Sequence, residues 1–463
     1  MNLVPLLGHA SLDDIFAWRP DGPLTVRDFL ADAAALADYL PPGRHLLNVC
    51  QDRYRFAVGL AAGLLSGRTS LQPSSQSAAT LRQIAADCPD VCCLCDSDFA
   101  SLDLPRLDFP ELALPRGDFL RREASPLAGR GAVDPKKVAK IPAIAADHPA
   151  IQVYTSGSTG QPVPYRKSWG SLVRNAQTEA RRLGAAGHAI VGTVPAQHMY
   201  GFESTVLLAM HGNAPFWSGK PFYPQDIVAA LAAVPQPRLL VTTPFHLAAL
   251  LAANLELPAI DLLLSATAPL SEQLAAAAEA RFAAPLVEIY GCTESGQIAS
   301  RRTTAGPAWQ LLDGVRLEQE DGRSFACGGH VEGREALSDI IEILADGRFL
   351  LHGRDADLVN IAGRRTSLAY LNHQLTAVVG VRDGAFFLPD KGAADAITRL
   401  CAFAVAPGLS VKQLMKALRE RIDPVFLPRP LVLLDALPRN STGKLPRERL
   451  QALYAEQMQH AGR

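Results

Sequence analysis

The amino-acid sequence predicts an α/β protein with a small α+β unit at its C-terminal end. Strand-length apolar runs alternate with helical stretches from about residue 26 to residue 290, and after about Asp313 the texture turns β-rich. Size points the same way. The 463 residues, 48% of them hydrophobic, exceed a single core, because cores stop growing near roughly 250–300 residues.

The elements follow in order. Helical periodicity over 26–40 precedes an apolar run at 46–50 and a helix over 55–65 that stops at Gly67. Residues 90–96 read as a short buried strand. Cys88, Cys92, Cys93 and Cys95 cluster there without paired C-x-x-C knuckles or a nearby histidine, so they read as small hydrophobes and not as metal ligands. The proline- and alanine-rich stretch 104–147 reads as a surface excursion. A strand over 150–154 leads into a hydroxyl-rich loop, and Ser168 caps a helix to Leu183 that Gly184 stops. Three more units follow: 239–242 with a helix over 246–253, 262–265 with a helix over 271–283, and 286–290 ending in a turn. Each strand ends in small or polar residues, where α/β sheets place ligands. Runs at 340–344 and 348–352 flank Asp346-Gly347 as a hairpin, and 414–421 gives a helix within the tail. No internal repeat is present.

A net charge of −1 gives no general attraction for nucleic acid or anionic membranes, so any anion binding must be local and the partner small. Charges or prolines interrupt every apolar run before about 18 residues, so no membrane span is expected. The first residues lack a basic stretch before an apolar core, and a cytoplasmic location follows as the expectation.

The segment Tyr154-Thr155-Ser156-Gly157-Ser158-Thr159-Gly160-Gln161-Pro162 places hydroxyls and glycines directly after a strand. Backbone N–H groups and hydroxyls in such a turn converge on phosphate oxygens. A kinase-type P-loop is excluded, because G-x-x-x-x-G-K-[ST] is absent and Gly443-Lys444 is followed by leucine. Near the C-terminus, Asn440-Ser441-Thr442-Gly443-Lys444 supplies a single cation in a glycine turn.

Seven ordered stretches together resemble the adenylate-forming superfamily of acyl- and aryl-CoA synthetases, peptide-synthetase adenylation domains and luciferases. They are the loop at 154–160, Pro195 to Gly201, Ser265 to Leu270, Tyr290-Gly291-Cys292-Thr293-Glu294, Ser338-Asp339, Gly353 to Asp357, and Leu437 to Lys444. The resemblance implies a large luciferase-like AMP-binding domain over 1–353, holding ATP and an acyl pocket, and a mobile α+β domain over 354–463. It implies catalytic roles for Lys444, Thr293, Glu294 and His198, with Glu294 also helping to hold Mg2+. It implies nucleotide contacts from Thr155, Ser156, Gly157, Ser158, Thr159, Gly160, Ser265, Ala266, Thr267, Tyr290, Gly291, Asp339 and Arg354. Attack of a carboxylate on the α-phosphorus of ATP joins two anions, so a lysine at that point has a clear electrostatic task. The acceptor would be the phosphopantetheine thiol of CoA or of an acyl carrier protein, and the substrate a carboxylic acid. The acyl pocket would gather around His198, Gly201, Phe202, Ser265, Tyr290, Gly291 and Ile298.

The pattern breaks in places. Gln161-Pro162-Val163-Pro164 stands where the family has a lysine, leaving Arg166 or Lys167 to supply charge. Ala356 stands at the hinge position between Asp355 and Asp357, and Asn360 where a lysine is common. These departures suit a specialised subgroup, such as acid:thiol ligases of pigment or aryl-polyene pathways. Glu203 near the pocket leaves open an amino-acid adenylating enzyme, and the lost cation leaves open a nucleotide-binding protein without turnover.

Overall fold

The computed structural model describes residues 2–73, 78–96, 105–109, 135, 138–156, 162–354, 358–361, 364–389, 400–440 and 443–461. The alternation read from the sequence becomes two main sheets. In the first, β1 (His45–Asn48), β2 (Thr69–Gln72), β3 (Val91–Cys95), β4 (Arg106–Asp108), β5 (Pro149–Ser156) and β6 (Pro162–Ser168) lie in the order β6-β5-β2-β1-β3-β4. All neighbours are parallel except β5 and β6. β3 is buried along its whole length, so its three cysteines are core residues. No group of three or more metal-ligating side chains occurs among the described residues.

The second sheet has nine strands. Its parallel centre is β7 (Ala189–Gly192), β8 (Phe216–Trp217), β9 (Arg238–Thr242), β10 (Leu262–Ser265) and β11 (Leu286–Cys292), ordered β11-β10-β9-β7-β8. Antiparallel β12 (Gly296–Arg301) and β13 (Gln310–Leu311) extend one side; on the other, Ile15–Arg19 runs parallel to β8 and Gly22–Thr25 antiparallel to it in turn. The largest core joins both sheets through α1 (Arg53–Leu65) and α2 (Trp169–Leu183). Phe202 meets Phe56 edge-on, and Phe216 meets Phe16 in the same way. All four rings are fully buried, so Phe202 and Phe216 are core residues.

α2 is capped as the sequence predicts: the Ser168 hydroxyl accepts from the Ser171 N–H, and Gly184 takes the left-handed conformation. One expectation is corrected. The hydroxyl-rich loop does not lead from a strand into a helix; it lies between antiparallel β5 and β6, and α2 begins only after β6. β6 contains Pro162 and Pro164, which pair opposite Ser156 and Tyr154. Proline cannot donate to a ladder and so belongs on an edge strand, which is where β6 lies.

α1 places a buried arginine beneath the second sheet. Arg53 donates to the carbonyls of Trp217, Gly219, Gly192 and Val194 at 2.8–3.0 Å, tying the end of β7 to the end of β8. Beyond the sheets, Val315–Glu320, Arg323–Gly328 and Val331–Leu337 form a three-stranded meander. β14 (Asp339–Ile343) and β15 (Phe349–Arg354) form the expected hairpin, with Gly347 at φ 82° in its turn. Residues from Val359 onward build separate clusters around the sheet of Asp383–Phe387, Cys401–Val405 and Leu431–Leu433 and the helices Leu368–Thr376, Val411–Arg419 and Arg447–Ala461. No helix among the described residues is long and apolar enough to cross a membrane.

Candidate active site

The C-terminal ends of β7, β9, β10 and β11 share one edge of the larger sheet, the position at which parallel sheets bind ligands. Thr193 Oγ1 and Thr242 Oγ1 stand 3.1 Å apart just past β7 and at the end of β9. Ser265 ends β10 fully buried with its hydroxyl unpartnered. Ala266 is buried beside it, and Thr267 takes φ 78°, a left-handed conformation that is strained for a β-branched residue. The Tyr200 hydroxyl donates to the Leu264 carbonyl at 2.9 Å, fixing the turn after His198 against this strand end. Gly201 is required there, because a Cβ would fall 2.1 Å from the Pro195 carbonyl oxygen.

β11 and β12 carry Thr293 and Glu294 at the tip of their hairpin, both half-buried. The half-buried Tyr290 ring lies 5.6 Å from Trp309 and 5.8 Å from Phe349, and its hydroxyl donates to Asp339 Oδ2 at 2.8 Å. Tyr290 and Asp339, far apart in sequence, are thus one unit. The Lys167 ammonium donates to the Glu294 carbonyl at 2.6 Å, while Arg166 is turned onto Gln152 at 3.0 Å. Of the two substitute cations, only Lys167 makes a contact with this hairpin.

The C-terminal lysine reaches the same place. Its amide donates to Asn440 Oδ1 at 2.9 Å, and Arg439 donates to the Gly443 carbonyl at 2.8 Å while forking onto Asp383. Gly443 at φ 77° seats against the start of α3 (Pro244–Ala252), with Phe245 Cβ 3.2 Å from where its own Cβ would be. Burial, and then the Lys444 charge, push His198 down to about 4. The charge of Lys444, from the C-terminal region, is thus felt at His198, at the edge of the strand ends.

Gly157, Ser158, Thr159 and Gly160 lie outside the described residues, as do Asp355, Ala356, Asp357, Ser441, Thr442 and most of the excursion after residue 104. Thr155, Ser156, Arg354 and Asn360 are placed as strand backbone only.

These strand ends fit a nucleotide. Tyr290 offers a half-exposed ring, Ser265 an unused buried hydroxyl, and Gly291 backbone without a side chain. Residues 13–329 match the model of the AMP-binding enzyme family. The chain belongs to the AMP-binding enzyme family.

This AMP-binding enzyme is 31% identical over 277 residues to a 4-coumarate–CoA ligase of Rhodobacter capsulatus, a match spanning 58% of this chain and 66% of that protein, just under two thirds of its length. It is 24% identical over 429 residues to an indoleacetate–CoA ligase of Aromatoleum aromaticum, spanning 81% of each. In fold it is similar to the o-succinylbenzoate CoA synthetase of Bacillus subtilis in complex with its acyl-adenylate intermediate, with a TM-score of 0.79 at 18% identity over 97% of this chain and 99% of that one.

Behind the Thr293–Glu294 hairpin the AMP-binding enzyme holds a buried polar cluster of which the sequence revealed only Glu203. Glu203, on the π-helical turn Phe202–Leu207, accepts from Asn175 Nδ2 at 2.6 Å. Glu179 lies one helical turn beyond Asn175 on α2, and Gln297 Nε2 donates to Ser204 Oγ at 2.8 Å. His330 completes the group, its ring facing Gly296. Asn175 and Glu179 form an i, i+4 pair on a helix face that also carries Ser171 and Thr178, so nothing in the sequence set them apart. Burial raises Glu203 to about 8 against the pull of Lys167, and raises Glu179 to about 7. Because the folded value of Glu203 lies above the ordinary carboxyl value of 4.5, its contribution to stability is complete below about pH 4.5 and is lost as pH rises through about 8. Thermal melts of Glu203→Gln against the parent should therefore diverge in the variant's favour between pH 5 and 8.5; parallel curves would place the carboxyl in solvent.

Proposed function

We propose that this chain is an AMP-forming carboxylic acid:thiol ligase. It condenses an acid with ATP to an acyl-adenylate and pyrophosphate, and then passes the acyl group to the phosphopantetheine thiol of CoA or of an acyl carrier protein. The observation that carries this reading is the seating of Gly443 against α3, which brings the Lys444 charge within reach of His198. A cation from the C-terminal region lies close enough to His198 for its charge to be felt there. That placement suits neutralisation of charge developing between carboxylate and α-phosphate.

The other roles follow from position. Tyr290 and Asp339 would hold adenosine, the ring against the base and the carboxylate on the ribose hydroxyls. Ser265, Ala266 and Thr267 would let the base approach the backbone, and Thr293 would donate to the α-phosphate. Glu294 would hold Mg2+ jointly with phosphate oxygens, since hard cations prefer oxygen ligands and no complete protein cage occurs among the described residues. Bound there, Mg2+ would supply charge neutralisation for the phosphates. His198, kept neutral by burial and Lys444, would stand at the acyl end without adding charge. Residues 354–463 would rotate to withdraw Lys444 and admit the thiol. An aryl or arylalkyl acid is the class to try first, as the names of the curated relatives suggest.

Pyrophosphate release across a panel of aryl, fatty and amino acids tests the reading. Silence from every acid, while ATP still protects the protein from heat, would leave a nucleotide-binding protein without turnover. Within the same assay Lys167→Met should raise the ATP KM about tenfold or more, since it frees the carbonyl beneath Glu294. An unchanged KM would reduce Lys167 to packing.

A further inference from the structure

The crevice between the two sheets carries a second cationic point, away from the strand ends assigned to the nucleotide. Residues 50–53, just past β1, tie two loops of the larger sheet together. The Cys50 carbonyl accepts from Gln197, next to His198, and Arg53 holds the carbonyls of Gly192 and Val194 at the start of the same loop. On the other side the Arg53 amide donates to the Ser218 carbonyl at 2.8 Å, and its guanidinium to the carbonyls of Trp217 and Gly219. Lys220 follows directly, exposed, with its ammonium 3.4 Å from Gln51 Oε1. Phe222 then meets His246 edge-on at 5.0 Å on α3, the helix whose start, at Thr243 and Phe245, seats Gly443.

The charge at this rim is unbalanced. Arg53 is 1% exposed and its guanidinium is bonded only to carbonyls. Among the described residues neither Arg53 nor Lys220 makes a salt bridge, and burial, followed by the Arg53 charge, pulls the Lys220 ammonium down. The neighbouring carboxylates are committed elsewhere: Asp52 accepts from the Arg55 N–H at 2.9 Å, and Asp96 from the Gln51 and Asp52 N–H groups at 2.8 and 2.9 Å. His246 adds no counter-charge, since burial and then Lys220 lower it to about 4. Two cations held together with no anion between them cost stability that a bound anion would restore. The phosphates of ATP, as placed above, are elsewhere. Ser265 ends β10, three strands from β8 and so about 14 Å away at the ordinary strand spacing, and Thr293 and Glu294 lie one strand further. The exposure of Lys220 suits a group that stays in water at the mouth of the site, and not the tail of an enclosed acyl chain.

We propose that Lys220, backed by the buried Arg53, binds the phosphate of the phosphopantetheine arm as the thiol acceptor enters beside His198. This rests on the ligase reading above. Lysine meets a phosphate as a mobile point charge, and Arg53 adds its field without contact, because its Nη donors are already spent on carbonyls. The same segment that holds Lys220 holds the loop before His198, so a phosphate anchored at the rim is in fixed register with that loop. The phosphate is common to CoA and to a carrier protein, so Lys220 favours an arm of this kind over a bare thiol without choosing between the two.

The test is thioester formation by the full chain with Mg-ATP, an acid accepted in the panel above, and three thiols: pantetheine, phosphopantetheine and CoA. The parent should use phosphopantetheine at least about tenfold better than pantetheine in kcat/KM, the worth of one hydrogen bond to a charged group. In Lys220→Met that ratio should fall toward one through the KM for phosphopantetheine, and Lys220→Arg should restore much of it. Rising salt should erode the preference in the parent and not in Lys220→Met. Equal use of pantetheine and phosphopantetheine by the parent would overturn phosphate recognition and leave the ligase standing. So would a Lys220→Met protein that keeps the parent's ratio, turnover of CoA but of neither shorter thiol, or pyrophosphate release with turnover of none of the three. A Lys220→Met protein that slows pyrophosphate release without thiol as much as it slows thioester formation would assign the cation to the acid instead. Pyrophosphate from no acid at all would overturn both readings. Lys220 is exposed and bonded only to Gln51, so its variants should fold, and the parent's own thiol panel decides the matter if they do not.

Discussion

Lys444→Ala should abolish ATP-dependent pyrophosphate release, by at least about 100-fold in kcat/KM, while the same protein still transfers the acyl group from a supplied acyl-adenylate to a thiol. The magnitude is that of removing one preorganised charge or donor aimed at a developing transition state. The selectivity follows from where the residue sits. Lys444 is exposed and carried by a loop whose internal bonds, Asn440 to Lys444 and Arg439 to Gly443, hold its shape independently of the strand ends. Truncating its side chain leaves those bonds and the Asp383 fork in place, so the melting temperature should hardly move. A second signature belongs to His198. Its value is pushed to about 4 by burial and by the Lys444 ammonium, so removing that ammonium relieves one of the two causes. The His198 resonance should titrate at higher pH in Lys444→Ala. Equal loss of both half-reactions would sink the assigned role, and an unmoved His198 would mean that the Lys444 charge does not reach it in solution.

The alternation of strand and helix was legible because each unit announces its own ends. Ser168 and Gly184 bracket α2 to the residue, and Asp346-Gly347 marks the β14–β15 turn. These are local signals, set by backbone conformations that few residues tolerate. The order around the hydroxyl-rich loop was misread, because Pro162 and Pro164 hide a strand from propensity while an edge position permits it. The pairing of Tyr290 with Asp339, the seat of Gly443 on α3 and the Lys167 contact to Glu294 could not be read locally at all. Each joins segments separated by dozens to hundreds of residues, and motif order predicted their meeting only through resemblance. The polar cluster is the deeper miss. Asn175, Glu179 and Gln297 look like ordinary surface residues until the fold buries them together.

A steric change can separate the position of the hairpin from its chemistry. In Gly291→Ala the new methyl would lie 2.2 Å from the Gly296 carbonyl oxygen, 2.8 Å from Gln297 Cα and 2.9 Å from the Gly296 carbonyl carbon. All three are backbone atoms of the facing strand, at the register shift between Tyr290 and Gly291, so no rotamer can relieve the clash. β11 and β12 must separate at their tip, and overpacking of this kind costs about 1–3 kcal/mol. The strand ends that hold Ser265 and Thr242 are on the other side of β11 and need not move. The variant should therefore melt a few degrees lower while adenylation falls at least about tenfold, because Thr293 and Glu294 ride on the displaced tip. Gly63→Ala is the matched control. It lies within α1, its added methyl meets only Leu46 Cδ2 at 3.6 Å, and the helix gains about 0.5–1 kcal/mol from losing a glycine. Gly291→Ala with the parent's melting temperature and turnover would mean that the hairpin is wider than described, and with it that Glu294 is not held where a nucleotide phosphate would meet it.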